Sequence, residues 1–274
     1  MISDLNFLEK AELFAKLSGA AYRDDNKKDF TELGFSNYQF LSNEGAKGHV
    51  ACSKEDLIIT CRGTDVKSAN DIIADLDTIP KRHGAGWVHE GFRREARKLL
   101  DIILKYVSKY PGRKIWLTGH SLGAAMATYI TQELEYANYK VEMLFTYGSP
   151  RVGNQEYVNC ILTEHHRFVN SNDIVPTVPP SVVGFRHHGN LHYINFYGNI
   201  RNLTNWQKIK DKVRAIISVT TVGTEDLADT SKLYDLRNFK VKFALSKGEN
   251  VDRYVHDVLV RKLRLIRRSG RAHV

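Results

Sequence analysis

The 274-residue chain contains only three cysteines and has no long apolar run. Cys52, Cys61 and Cys160 are far apart, so they fit no metal-binding spacing, and their odd number leaves at least one thiol free, which favours a reducing compartment. A membrane-spanning helix needs about twenty consecutive apolar residues, and the sequence has no such run. Residues 1–19 mix acidic with apolar side chains, unlike a secretory signal. We therefore expect a soluble, cytoplasmic protein without metal or organic cofactor, with export by a route that needs no signal peptide as the alternative.

Acidic residues are outnumbered by basic ones, since 40 lysines and arginines face 31 aspartates and glutamates and the formal charge is +9. Part of the excess lies near the C-terminus, in Arg261, Lys262, Arg264, Arg267, Arg268 and Arg271. We expect a basic, flexible tail from about residue 264. Such a tail is usually just solvated, or it contacts an anionic membrane surface. Nucleic acid is not expected as a partner.

Strand patterns alternate with helical patterns through most of the chain. Strands are predicted at 48–52, 57–61, 115–117, 141–147, 166–170 and 191–197, and helices at 5–22, 93–110 and 250–266. This alternation is typical of a mostly parallel sheet with helices on both faces, whose functional residues gather at the carboxyl ends of the strands. Thr64, Ser121 and Asp173 each follow such an end. The sequence thus predicts one α/β domain over residues 1–274.

The strongest motif is Gly119-His120-Ser121-Leu122-Gly123, which fits G-x-S-x-G. It follows an apolar strand and precedes an alanine-rich helix, which is the context of a nucleophile elbow. Glycines two positions either side of Ser121 leave room for the tight turn that exposes a serine hydroxyl. The start of the helix supplies N–H groups where an oxyanion would form. This context favours a nucleophilic serine over a glycine-rich turn.

Two segments between residues 62 and 79 could serve this serine. Arg62-Gly63-Thr64 follows a strand, and Thr64 is a candidate oxyanion donor, although Gly-Thr at a strand end is more often a simple turn. Residues 66–79 have isoleucines and a leucine on one face of a short helix. That helix is equally consistent with a lid over an apolar cleft and with a surface helix packed on the sheet.

A serine hydroxyl requires a base, usually a histidine oriented by a carboxylate, and in α/β-hydrolases the chain order is serine, acid, histidine. Asp173 satisfies the second position. It lies in a strand-end loop before a proline-rich stretch. An aspartate in such a loop can also be only a turn residue.

Together these motifs resemble the class 3 lipases, the fungal-type triacylglycerol lipases and their plant and bacterial relatives. The matching segments follow the family's order between about residues 5 and 200: 62–64, 70–76, 88–92, 119–125, 148–154, 172–176 and 185–189. The resemblance implies a single-domain α/β-hydrolase that cleaves carboxylic esters of acyl lipids. It implies Ser121 as nucleophile, Asp173 as the residue that orients the base, and an oxyanion hole made by Thr64 and the N–H of Leu122. It also implies that 70–76 is the lid, with isoleucine where the family usually has tryptophan.

The base departs from the family pattern. The family places its histidine three to five residues before a tyrosine, and if that residue is Tyr254, the position five before it is Glu249. Four other histidines after Asp173 belong to a structural motif, a strand or the tail: His187, His188, His192 and His273. His256 remains as the candidate base, although in a helix it would lie about 10 Å along the axis from position 249.

Three functions stay open from the sequence. We favour an active lipase or esterase, phospholipase included, that uses Ser121, Asp173 and His256. The alternative is a catalytically impaired lipase-fold protein that lacks the usual histidine base and binds acyl lipid or a partner. The third is a basic membrane-surface or nucleic-acid binder built on a hydrolase scaffold. The positive charge favours phospholipid in an anionic membrane as the substrate.

Overall fold

The computed structural model describes residues 1–63, 79–171, 173–195, 197, 199–204, 206–211 and 260–268. Seven strands form its main sheet: β1 (Asn37–Asn43), β2 (Ala46–Cys52), β3 (Asp56–Cys61), β6 (Lys114–His120), β7 (Val141–Tyr147), β8 (His165–Asn170) and β9 (Asn190–Ile194). Their order across the sheet is the same as their order along the chain. The remaining strands, β4 (Pro80–His83) and β5 (Gly86–His89), pair with each other as a separate hairpin.

The sheet is parallel from β3 to β9 and antiparallel among β1, β2 and β3. In the parallel part, Gly119 pairs with Cys61 on one side and with Thr146 on the other. The carboxyl ends of β3, β6, β7 and β8 therefore meet at one edge of the sheet, where this architecture places functional residues. The predicted architecture, a central and mostly parallel sheet in one α/β arrangement, is confirmed.

Helices cover both faces of the sheet, as the predicted pattern requires. They are α1 (Phe7–Ala20), α2 (Lys27–Glu32), α3 (Glu90–Lys109), α4 (Leu122–Tyr136) and α5 (Gln155–Asn159), and residues 206–211 and 260–268 are also helical. The start of α1 is fixed by a capping box, in which Asn6 Oδ1 accepts from the Glu9 N–H and the Glu9 carboxylate accepts from the Asn6 N–H. Pro111 and Gly112 follow α3 and prevent it from continuing.

Two apolar cores lie on opposite faces of the sheet. One fills the space between the sheet and α3 and α4, with Leu99, Ile103 and Ile130 fully buried. The other lies under α1 and is rich in aromatic rings, including Phe14 stacked on Phe145. Both cores share the same central strands, so the sheet is the rigid platform that fixes the carboxyl-end loops.

Residues 260–268 form a terminal helix that packs on α1. Leu263 and Ile266 are buried in the aromatic-rich core. The Nε atoms of Arg264 and Arg267 donate to the two carboxylate oxygens of Glu12, at 3.0 and 2.8 Å. The sequence predicts a flexible tail from about residue 264, whereas residues up to 268 form this helix, because their apolar side chains have a core to join. Residues 269–274 lie outside the described part of the chain.

No helix in the described residues is long and apolar enough to cross a membrane.

Candidate active site

Ser121 lies at the turn between β6 and α4, as the motif predicts. Its backbone is in a strained left-handed conformation, with φ at 56° and ψ at −127°. Its N–H donates to the Tyr147 carbonyl at 3.0 Å, which ties the turn to the end of β7. The Oγ is buried and has no hydrogen-bond partner among the described residues. A strained turn that holds an unbonded hydroxyl at the start of a helix is the geometry of a nucleophile elbow.

The two glycines of the motif are required by close backbone contacts. A Cβ atom at Gly119 would overlap the carbonyl group of Gly123. A Cβ atom at Gly123 would overlap the carbonyl oxygen of Cys61, because the first turn of α4 packs against the end of β3. The N–H of Leu122, the first residue of α4, has no acceptor within the helix. The Leu122 N–H therefore makes no hydrogen bond within the helix, and it lies where an oxyanion would form beside Ser121.

The segment after β3, which begins with Arg62 and Gly63, packs against the elbow. A Cβ atom at Gly63 would lie 2.8 Å from the carbonyl oxygen of His120 and would overlap the hydroxyl group of Tyr22. That hydroxyl forms a 2.8 Å hydrogen bond with His120 Nδ1. Tyr22 thus joins the end of α1 to both the elbow and the segment after β3. Sequence reasoning missed Tyr22, because a tyrosine just beyond a packing helix carries no motif.

Asp173 lies just beyond β8, on the same edge of the sheet. Its Oδ1 accepts from the Val175 N–H at 3.0 Å, in a turn that fixes the carboxylate. A Cβ atom at Gly148 would lie 2.6 Å from Asp173 Oδ2 and 3.5 Å from His120 Nε2. Gly148 is the residue after Tyr147, whose carbonyl oxygen accepts the hydrogen bond from the Ser121 N–H. Ser121 and Asp173 therefore lie beyond the carboxyl ends of β6 and β8, on either side of β7, as the sequence predicts.

The two histidines of the matching segment 185–189, His187 and His188, serve the structure. His187 Nε2 hydrogen-bonds the Pro176 carbonyl at 2.9 Å, and this contact holds the loop that follows Asp173. His188 Nδ1 lies 3.2 Å from His165 Nδ1. Burial and the charge of Arg167 lower the pKa of His187 to about 3 and the pKa of His188 to about 4. Both imidazoles are thus neutral near pH 7.

Several predicted site residues lie outside the described part of the chain. They include the candidate oxyanion donor Thr64, the lid residues up to 78, the candidate base His256 and Glu249. Gly63 and Ile79, the last residue of the predicted lid helix, are described, and Ile79 is exposed. Within the described residues, no group of three or more histidine, cysteine, aspartate or glutamate side chains could hold a metal ion.

A family model described as lipase (class 3) matches residues 58–183. The chain is 31% identical to a lipase of Rhizomucor miehei over 186 residues, which are 62% of this chain and 51% of that protein. It is 33% identical to the secreted mono- and diacylglycerol lipase MDL3 of Malassezia globosa over 238 residues, 77% of each chain. The chain thus spans about half the length of the Rhizomucor lipase and a larger share of the Malassezia protein.

Solved structures agree with these sequence matches. The fold superposes on a triacylglycerol lipase whose catalytic centre is described as a serine protease triad, with a TM-score of 0.60 and 27% identity. That comparison covers 69% of this chain and 82% of the lipase. A native Rhizomucor miehei lipase bound to its propeptide gives a TM-score of 0.57 at 25% identity, over 68% of this chain and 67% of that one.

Proposed function

Because the chain belongs to the class 3 lipase family, we propose that it hydrolyses carboxylic esters of acyl lipids through an acyl-enzyme on Ser121. The observation that carries this proposal is the elbow itself, where a buried and unbonded Oγ lies beside the N–H of Leu122. The Asp173 carboxylate, beyond the end of β8 on the same edge of the sheet, supports it. All the named relatives above are lipases, which weighs against a lipase-fold protein that only binds its ligand.

In the proposed mechanism, His256 removes the proton of the Ser121 hydroxyl as Oγ attacks the ester carbonyl carbon. The N–H of Leu122 and the backbone and hydroxyl of Thr64 stabilise the resulting oxyanion. The protonated imidazole then donates its proton to the leaving alcohol, and Ser121 keeps the acyl group. Water, deprotonated by His256, releases the fatty acid and restores the serine. Asp173 orients the imidazole and stabilises its positive charge.

The terminal helix supports His256 as the base. Lys262 Nζ hydrogen-bonds Asn170 Oδ1 at the carboxyl end of β8, three residues before Asp173. His256 precedes Lys262 by six residues, a separation of about 9 Å in a helix and about 20 Å in an extended chain. Either separation is compatible with the role proposed for His256.

Hydrolysis of a soluble short-chain nitrophenyl ester tests the proposal. We expect Ser121→Ala to lower kcat by roughly a million-fold, on the serine-protease precedent. Ser18→Ala, a control at another buried serine, should leave kcat unchanged. His256→Ala should abolish turnover and His273→Ala should not. A wild-type chain without turnover that still binds an acyl ligand would instead support the impaired lipase.

Three of the six basic residues near the C-terminus are engaged within the protein: Arg264 and Arg267 are paired with Glu12, and Lys262 with Asn170. The membrane contact expected from the basic residues stays a prediction. We propose that exposed apolar side chains on the loop that carries Asp173 also contact the lipid surface. Ile174 and Val182 belong to this loop and are 40% and 91% exposed. The cytoplasmic location expected from the sequence stays a prediction.

A further inference from the structure

Arg167 is a buried guanidinium without a hydrogen-bond partner among the residues that the structure describes. It lies in the middle of β8 and is only 7% exposed. Its Nε is fully buried and makes no hydrogen bond. A buried charge without a partner is much less favourable than an exposed one, and buried charges in native proteins are therefore almost always paired. Arg167 thus calls for a partner of opposite charge.

Among the described residues, the side chains that act on Arg167 provide no such charge. Burial, and then the positive charge of Arg151, lower the pKa of Arg167 to about 10. The charge of Arg167 helps to lower the pKa of His187 and of His188, and both imidazoles are neutral near pH 7. The described surroundings are therefore positively charged or neutral, which is the reverse of what a buried arginine requires.

The neighbours of Arg167 are themselves hydrogen-bonded. The Nη1 of Arg151 donates to the carbonyl oxygens of Pro179, at 2.8 Å, and of Thr177. His165 Nε2 bonds the Thr146 hydroxyl at 2.7 Å. These contacts fix the neighbours in place and leave Arg167 as the group that lacks a partner in this part of the structure.

The cluster formed by Arg167, Arg151, His187 and His188 lies beside the elbow and apart from Ser121. Gly119, Thr146 and Arg167 occupy one row across β6, β7 and β8. Since neighbouring strands are about 4.8 Å apart, the Cα atom of Arg167 is about 10 Å from that of Gly119. The loop from residue 175 to residue 188 contributes His187 and His188 to the cluster. A ligand of Arg167 would therefore contact this loop, which begins next to Asp173.

We propose that Arg167, together with Arg151, binds the phosphate group of a small ligand beneath the 175–188 loop. The planar fork of a guanidinium matches two oxygens of a phosphate, and two guanidinium groups balance its two negative charges. This binding site goes beyond the proposed ester hydrolysis and does not depend on it.

Thermal unfolding of the full chain tests the site. We expect the midpoint to rise with the concentration of inorganic phosphate, compared with sodium chloride of equal ionic strength, because a ligand that binds the folded state stabilises it. Glycerophosphocholine in a parallel titration distinguishes a lipid headgroup from free phosphate as the source. A shift with either ligand supports the site, and the larger shift identifies the source. No shift with either ligand would overturn the proposal.

Variants then assign the shift to Arg167. Arg167→Met should lose the ligand-dependent rise and, in chloride, should unfold at a temperature no lower than wild type, because an unpaired buried charge is removed. Arg201→Met, at an exposed arginine, is the control and should keep the rise. If the Met variant does not fold, Arg167→Lys keeps the charge without the fork, and we expect roughly tenfold weaker binding or more. A full response in either Arg167 variant would place phosphate elsewhere and refute the assignment.

Discussion

At the scale of single residues, the position of Ser121 depends on the glycines around it. Gly123 allows the first turn of α4 to approach the end of β3, and Gly119 allows the same turn to fold back on β6. The strain is thus concentrated at Ser121, whose φ is 56°, and is held there by contacts on both sides.

Gly123→Ala tests this steric requirement. The added methyl group would overlap the Cys61 carbonyl oxygen, so α4 must shift and take the Leu122 N–H with it. We expect loss of ester hydrolysis and a decrease of about 1–3 kcal/mol in the free energy of unfolding. Gly34→Ala is the control, since its φ is +91° but no atom lies within 4 Å of the added carbon. Gly34→Ala should lower the free energy of unfolding only because alanine is unfavourable at this positive φ, and it should keep the ester hydrolysis. An active Gly123→Ala enzyme would contradict the account of the elbow.

Buried histidines predict a loss of stability in mild acid. His49 is fully buried, and burial lowers its pKa to about 4. Its Nε2 can donate to the Ala21 carbonyl while Nδ1 accepts from the Tyr38 hydroxyl, which holds the neutral form. The unfolded chain has a histidine pKa of about 6.5 and binds a proton that the folded chain does not. The stabilisation of the folded state by neutral His49 is therefore complete above pH 6.5 and is lost as the pH falls towards 4.

Urea unfolding measured between pH 7 and pH 5 checks this linkage. Each such histidine contributes up to about 1.4 kcal/mol per pH unit in this range. His49→Gln should flatten the pH dependence by up to one proton, while its stability at pH 7 falls because the buried contacts change. An unchanged slope in the variant would show that His49 does not titrate in this way.

At the scale of elements, the sequence predicts best where the apolar pattern is long. The helix predicted at 93–110 corresponds to α3 (Glu90–Lys109), and the strand predicted at 141–147 has the same bounds as β7. It predicts neither β1 (Asn37–Asn43) nor the β4–β5 hairpin. β1 is a half-exposed edge strand with mixed polar residues, and its structure comes from pairing with β2, which local pattern does not reveal.

The site shows the same division between local and distant information. The elbow and Asp173 are predictable because each is a short motif at a strand end. The role of Tyr22 and the isolation of Arg167 depend on residues that are distant in sequence and meet only in the fold. The base remains a prediction, since His256 lies outside the described residues.

The attachment of the terminal helix to α1 depends on Glu12. This carboxylate is buried and accepts from Arg264 and Arg267, while Lys16 lies 2.9 Å away. We expect Glu12→Gln to lower the free energy of unfolding by about 1–3 kcal/mol, because partly buried guanidinium groups lose their counter-charge. Glu32→Gln, in an exposed pair with Lys28, is the control and should change stability by less than about 1 kcal/mol. Equal effects measured by urea unfolding would rule out a special role for Glu12.

At the scale of the whole molecule, exposed apolar side chains occur at opposite edges of the sheet. Ile174, Val182 and Val183 lie on the loop beyond the carboxyl end of β8, near Asp173. Leu162 is 86% exposed but precedes β8, at the other edge. If the proposed lipid surface faces Ser121, only the first group contacts it. The single domain predicted for 1–274 stays a prediction, supported by the terminal helix joining a core of the same sheet.

A variant carrying both Val182→Ser and Val183→Ser tests this orientation. We expect hydrolysis of an ester in vesicles to fall severalfold, because less apolar area enters the lipid. Hydrolysis of a soluble short-chain ester should stay unchanged, since neither side chain belongs to the proposed triad. Leu162→Ser provides the matched control and should affect neither substrate. A loss confined to the Leu162 variant would reverse the proposed orientation.

Labelling with a fluorophosphonate, followed by mass spectrometry of the peptides, tests the central claim most directly, because the reagent modifies only an activated serine. We expect one stable adduct, located on Ser121, in the wild-type chain and in Ser18→Ala. We expect no adduct in Ser121→Ala and strongly slowed labelling in Asp173→Asn. An unlabelled wild-type chain, or an adduct on another serine, would contradict the claim that Ser121 is the nucleophile.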